Sequence, residues 1–211
     1  TPTDFGELVS KMYIDPVTGI MLKRGLEGEI TPFSSLYLVS STPDMPPLYV
    51  ARVEEENLTA VYAQHFSEIV STGVGEESLS PIKTAAVLHD WIEEKSMDEI
   101  TEKYGLGPGD VHTRVEVAEW LLYAYENIAK LFRNKKSIEI AKIRKRVRYG
   151  VKEDLLPLVA LEGVGRVRAR KLMEYGYDLE KLSRATKEEL MKIPGIGEKV
   201  AEKILSQLKS F

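Results

Sequence analysis

Cysteine is absent from the 211 residues, which excludes disulfides and thiolate metal sites together. No apolar run is long enough to cross a bilayer, and no charged leader with an apolar core opens the chain. The expectation is therefore a cytoplasmic, intracellular protein with no membrane partner. A Gly-x-x-x-x-Gly-Lys-Ser/Thr loop and an acidic metal-binding box are also missing, so this chain alone cannot assemble an ATP site. The three histidines, His65, His89 and His112, lack metal-ligand companions at useful spacing, and no Ser-His-Asp arrangement can be argued from sequence. No metal, no cofactor and no catalytic residue is expected here. The first residues also lack the hydrophobic material for a domain of their own, and the N-terminus is expected to be a cut end of something larger.

What is present is divided unevenly. From Lys130 to Phe211 there are 21 Lys+Arg against 11 Asp+Glu, whereas residues 1–129 carry 8 against 22. The net charge of -4 hides this split. A local field acts within a screening length of ~8 Å, so the basic part can attract a polyanion whatever the whole-chain balance. Periodicity predicts helices throughout: over 3–13, from Asp15 to Gly25, from Glu54 to Val70, from Ser80-Pro81 onward with Ile82, Ala85, Ala86, Leu88, His89 and Ile92 inward, and from Ser96 to Tyr104 before Gly105. An irregular stretch holds Pro43, Pro46 and Pro47. The longest signal runs from Asp110 to Phe132, with Val111, Val115, Ala118, Leu122, Tyr125, Ala129 and Phe132 as its core stripe.

Trp120 lies off that stripe, in line with Thr113, Glu116, Tyr123 and Asn127. Either another helix covers it, as in a bundle helix buried on two sides, or it is a stacking platform for a base, worth ~1–3 kcal/mol. Residues 130–152 hold ten cations, Lys142, Arg144, Lys145, Arg146 and Arg148 among them, against the single acid Glu139. With Ile138, Ile140, Ala141, Ile143 and Val147 interleaved, they predict a basic helix, read either as an ordered phosphate-binding band or as a solvated face.

A repeat of period 32 lays Leu161-Glu162-Gly163-Val164-Gly165 over Ile193-Pro194-Gly195-Ile196-Gly197, and then Ala169 on Ala201, Lys171 on Lys203 and Leu172 on Ile204. Each copy is an apolar lead, a Gly-aliphatic-Gly turn and an amphipathic helix. Glycine permits positive φ and leaves no side chain in the way, so a phosphate can reach the N–H groups of the following helix start. Val164 and Ile196 are expected to plug the turns into the core. The first copy runs into Arg166, Arg168, Arg170 and Lys171, while the second pairs Glu198 with Lys199, so the first hairpin is expected to bind phosphate harder.

These turns resemble the helix-hairpin-helix family, and the pair resembles its tandem domain. Nearly the whole chain resembles the C-terminal portion of archaeal Hjm-type superfamily-two DNA helicases. The matching pieces are Leu8-Val9-Ser10 with Tyr13-Ile14-Asp15-Pro16, Gly109-Asp110 with Ala118-Glu119-Trp120-Leu121, Tyr149-Gly150-Val151-Lys152-Glu153, and Gly165-Arg166-Val167-Arg168-Ala169-Arg170-Lys171-Leu172. The resemblance implies an all-α chain: the end of a winged-helix domain over 1–15, a helical ratchet bundle over 16–149, and a tandem helix-hairpin-helix domain over 150–211. It implies that Trp120 stacks a base on the ratchet helix, and that Arg166, Arg168 and Arg170 contact DNA and restrain the motor. Some members stack a second base on an arginine seven residues earlier; that position is Thr113 here, with His112 and Arg114 beside it, and Arg114 is the substitute. The implied partners are single-stranded or forked DNA and upstream motor domains, the cofactors ATP and magnesium in the intact protein, and the setting replication-fork repair and recombination near the nucleoid.

Two other readings compete. A stand-alone hairpin-containing repair enzyme would use Lys171 or Asp178 against a sugar, although no aromatic pocket for a flipped base is evident. A protein-docking module would show weak, salt-insensitive DNA binding.

Overall fold

The computed structural model describes residues 3–75 and 78–208. Among them there are fourteen α-helices, two short 3-10 turns and no strand. The helices are α1 (Asp4–Lys11), α2 (Pro16–Gly25), α3 (Pro32–Ser40), α4 (Glu55–Gln64), α5 (Phe66–Ser71), α6 (Ser80–Ile92), α7 (Met97–Tyr104), α8 (Pro108–Leu131), α9 (Ser137–Tyr149), α10 (Leu156–Val159), α11 (Arg166–Glu174), α12 (Leu179–Arg184), α13 (Lys187–Met191) and α14 (Glu198–Leu208). The chain forms two compact units, one reaching to Arg148 and the other starting at Tyr149. Each has its own core.

Local chemistry sets the helix ends. Asp15 caps α2 by accepting from the Val17 N–H at 2.7 Å, with Pro16 pre-set at the first position. Thr31 and Ser34 form a reciprocal capping box on α3, as do Ser96 and Glu99 on α7. Gly105 stops α7 in the left-handed conformation, φ 59°. Arg133 adopts φ 52° after α8, and the Asn134 N–H reaches back to the Ala129 carbonyl, which closes the long helix before α9 begins.

The first unit is built around α3. Every residue from Phe33 to Ser40 is buried, and the helix packs on α6, α8, α5 and α2. Phe33, Leu36, Leu38 and Val39 each contribute roughly 1.5–3 kcal/mol by leaving water. Sequence periodicity passed over α3 because a helix buried all round has no polar face to mark its turn. The helix expected from Glu54 to Val70 is two, broken at His65 (φ -106°, ψ 17°). There the imidazole stacks on Phe33, 3.7 Å between ring centroids, and Nδ1 meets Glu68 Oε1 at 2.7 Å, contacts that an unbroken helix would displace. In α8 the expected stripe is buried except at its end. Phe132 is exposed and lies 6.0 Å from Phe5, while Leu121, Ala124 and Ile128 are buried as well. The helix is therefore covered on two sides, which gives the bundle its axis.

In the second unit, Val151, Leu155, Leu158, Leu172, Leu182, Leu190 and Ile204 close a small core into which Val164 and Ile196 insert. Each copy of the repeat is helix, turn, helix: α10 into α11, and α13 into α14, with α12 between them.

Candidate nucleic-acid interface

The two turns of the second unit have matching backbones. Gly163 stands at φ 84° and Gly195 at φ 88°. In each turn the aliphatic N–H returns to the lead carbonyl at 3.1 Å, from Val164 to Leu161 and from Ile196 to Ile193. The glycines divide their tasks. Gly163 and Gly195 supply positive φ, whereas Gly165 is extended (φ -82°, ψ 176°) and caps α11. A Cβ at Gly165 or Gly197 would meet nothing within 4 Å, so the starts of α11 and α14 are open to an approaching anion.

The cations of the first hairpin do not act alike. Arg168 donates from Nε to the Gly195 carbonyl at 3.0 Å and from Nη1 to the Gly163 carbonyl at 2.9 Å, tying the two turns together. Arg170 makes a two-pronged bond to Asp154, at 3.0 and 3.1 Å. Arg166 and Lys171 are half-buried and line a groove of 420 Å³ with Gly165, Val167, Arg168, Pro194 and Gly195. In return, α14 holds the first turn. Lys203 pairs with Glu162 at 2.5 Å, and the Gln207 amide both donates to the Glu162 carbonyl and accepts from its N–H. Lys199 is exposed. Glu198, in the first turn of α14, pairs with Lys187 at 2.8 Å; that hydrogen bond holds its carboxyl below the ordinary range and pushes the Lys187 ammonium up. Asp178 is used locally, accepting from the Lys181 N–H as the cap of α12.

In the first unit, Trp120 is half-buried on α8 and its Nε1 donates to the Met12 carbonyl at 3.0 Å. The loop after α1 thus fixes the edge of the indole. Thr113 is exposed and bonds the Gly109 carbonyl. Arg114 is only 11% exposed: its Nη2 donates to the Pro47 carbonyl at 3.1 Å and it pairs with Asp110 at 3.6 Å. From the sixth position before Trp120 it projects about 120° away around the helix. The structure does not bring Arg114 and Trp120 onto one face.

The basic helix α9 is partly an internal strut. Arg146 is buried and donates to Glu93 at 2.8 Å and to the Ile92 carbonyl at 3.4 Å. Arg144 is clamped between Glu126, at 2.9 Å, and Glu119, at 3.6 Å. Burial pushes the Glu126 carboxyl up, but bonds from Lys130 and Arg144 outweigh it and hold it below the usual range. Lys145 and Arg148 are exposed, and Lys142 sits near Glu139 at 3.4 Å. Trp91 donates to the Val147 carbonyl and so ties α6 to α9.

A cavity of 660 Å³ is lined in part by Lys83, whose ammonium is held by Glu54 at 2.7 Å and the Tyr49 carbonyl at 2.9 Å. Sequence reading missed Lys83 and Trp91 as structural ties; Lys83 carried a signal, since it lies among the inward residues of α6. Among the described residues no cluster of His, Asp or Glu could hold a metal ion, and no helix is long and apolar enough to cross a membrane.

A helical bundle followed by two glycine-turn hairpins defines an all-α protein with a tandem helix-hairpin-helix unit. Residues 33–150 match the family described as archaeal helicase, domain 4, and residues 155–210 match the SAM-like helix-hairpin-helix tandem. The chain belongs to the archaeal helicase domain 4 family. Among its relatives is the ATP-dependent DNA helicase Hel308 of Methanocella arvoryzae, 37% identical over 98% of this chain and 30% of that protein. The Hel308 of Pyrococcus horikoshii is 37% identical over 96% of the chain and 30% of its own length, and that of Methanocaldococcus jannaschii is 38% identical over 98% and 17%. The chain thus spans under a third of the length of these relatives.

Proposed function

We propose that this chain is the sequence-independent, single-strand-binding and ratchet region of an ATP-dependent DNA helicase acting in replication-fork repair and recombination. Its relatives carry the name ATP-dependent DNA helicase. ATP and magnesium belong on this reading to the motor domains of the longer protein, with residues 1–15 ending a winged-helix domain, 16–149 forming the ratchet bundle and 150–211 the hairpin domain.

The observation that carries the reading is the doubled turn, cross-tied by Arg168, with two helix starts left open at Gly165 and Gly197. Oriented N–H groups and a cationic groove suit phosphates and do not distinguish bases. Arg166 and Lys171 supply the grip, and Arg168 and Arg170 hold the hairpins in shape. Trp120, its edge fixed by Met12 and part of its indole packed against the core, offers only its exposed remainder to a base. Arg114 could join it only by releasing Pro47.

The test is fluorescence anisotropy with single-stranded DNA across a salt series. Arg166→Ala/Lys171→Ala removes two phosphate contacts and should flatten the salt slope by about 1.4. Trp120→Ala should weaken binding about five-fold or more with the slope unchanged. If neither change alters binding, the DNA reading falls and protein docking replaces it.

A further inference from the structure

Glu119, Tyr123 and Glu126 stand at steps of four and three along α8, so they share one strip of its surface. Arg144 reaches over this strip from α9. Its guanidinium is held at one end by Glu126 and at the other by Glu119, and its central carbon lies 5.4 Å from the centre of the Tyr123 ring. Two carboxylates therefore fix a planar cation against one side of the phenol ring. Arg144 is only 17% exposed and Glu126 only 6%, yet Tyr123 is 44% exposed. The cation behind the open ring is anchored by a charge-assisted bond to Glu126 and an ion pair with Glu119, so the backing cannot shift without breaking them.

Tyr123 also follows Trp120 by three positions, which makes the two rings neighbours on the helix with Cβ atoms ~5–6 Å apart. That separation exceeds the ~3.4 Å rise per base of a stacked duplex strand, so a single strand would meet the rings in an extended form. The charges favour bases over phosphates at this spot. Arg144 and Lys130 are matched by Glu119 and Glu126, and exposed Glu116 adds a negative charge on the Trp120 side.

Resting on the single-strand reading above, we propose that Tyr123, backed by the Arg144 guanidinium, is a second base-stacking platform on α8, one turn beyond Trp120. The partner chemistry is the π-face of a nucleobase, without preference among bases.

The experiment compares two probes of equal length and charge, oligothymidylate and an oligomer with abasic sites, bound to the chain and to Tyr123→Ala, Tyr123→Leu, Tyr123→Phe and Trp120→Ala. Tyr123→Ala and Tyr123→Leu should each weaken oligothymidylate binding about five-fold or more, with abasic binding and the salt slope unchanged, and Tyr123→Phe should retain affinity. Leucine keeps the apolar bulk without a π-face, so it separates stacking from packing, and circular dichroism checks that each variant folds. If Trp120→Ala discriminates between the probes while Tyr123→Ala and Tyr123→Leu do not, the second platform is overturned and the single-strand reading survives. If Trp120→Ala is silent as well, base stacking on this helix fails altogether.

Discussion

The glycines of the first hairpin turn can be separated by two alanine substitutions. At Gly163 the backbone stands at φ 84°, where an L side chain is strained by ~1–2 kcal/mol; the added Cβ would meet Lys203 Cδ at an ordinary 3.5 Å, so crowding adds little. Alanine also lowers the entropy of the unfolded chain by ~0.4–1 kcal/mol, which leaves a net loss of about 1 kcal/mol. At Gly165 the same entropic gain is offset by the poorer capping of alanine, of the order of 0.5–1 kcal/mol, and nothing lies within 4 Å of the new methyl. Stability should stay within about 0.5 kcal/mol there. For a unit of this size 1 kcal/mol moves the melting temperature by ~4–8 °C, so Gly163→Ala should show that fall in calorimetry and Gly165→Ala should not. DNA binding should sort the pair the other way. The Gly165 methyl stands in the path of the phosphate and removes a charge-assisted bond of ~1.5–3 kcal/mol, a loss of about ten-fold or more in anisotropy. Equal destabilisation by both, or undiminished DNA binding by Gly165→Ala, would refute this division of roles.

Arg168→Ala should weaken DNA binding through the geometry of the second hairpin, so a double-mutant cycle with Lys199→Ala should show coupling above ~0.5 kcal/mol, whereas additive losses would mean that Arg168 grips phosphate by itself. Lys83→Met leaves the Glu54 carboxylate without its cation and with only the Ala51 N–H; because Glu54 is partly exposed the cost in urea unfolding should be about 2–3 kcal/mol, below the ~3–5 of a fully buried pair, and Lys83→Met/Glu54→Gln should recover part of it. Burial holds the His89 imidazole below its ordinary pKa against the opposing charge of Glu93, so the unfolded chain takes up the proton first: stability is full above about pH 6.5 and falls as pH drops below it, a slope that His89→Gln should flatten in denaturant titrations. Lys142→Ala/Lys145→Ala/Arg148→Ala should flatten the salt slope of single-strand binding by about 2, while changes at Arg144 and Arg146 should act mainly on stability.

Most helix starts were legible because their chemistry is local. Asp15-Pro16, Ser80-Pro81 and Ser96-x-x-Glu99 announce themselves within four residues, and the doubled Gly-aliphatic-Gly turn exposes its own period. What escaped depends on distant contacts. The break at His65 is fixed by Phe33, thirty-two residues earlier, and α3 is helical inside a core that conceals its periodicity. Phe132 was assigned to the core because it continues the stripe of α8, yet the helix ends one residue before it.

The candidate site was legible in its residue types and much less in their employment. A tally of cations counts Arg168 beside Arg166, but the acceptors that hold Arg168 are backbone carbonyls, which no side-chain pattern encodes. For α9 the information was present in helical register. Ile140, Ile143 and Val147 define the inward direction, and at about 100° per residue Arg144 and Arg146 lie about 70° and 90° from it, whereas Lys145 lies nearly opposite and Lys142 and Arg148 fall between. That order places Arg144 and Arg146 where carboxylates of the bundle can reach them and turns Lys145 outward, as observed. Density of charge shows that a helix can meet a polyanion; register decides which of its charges remain to do so.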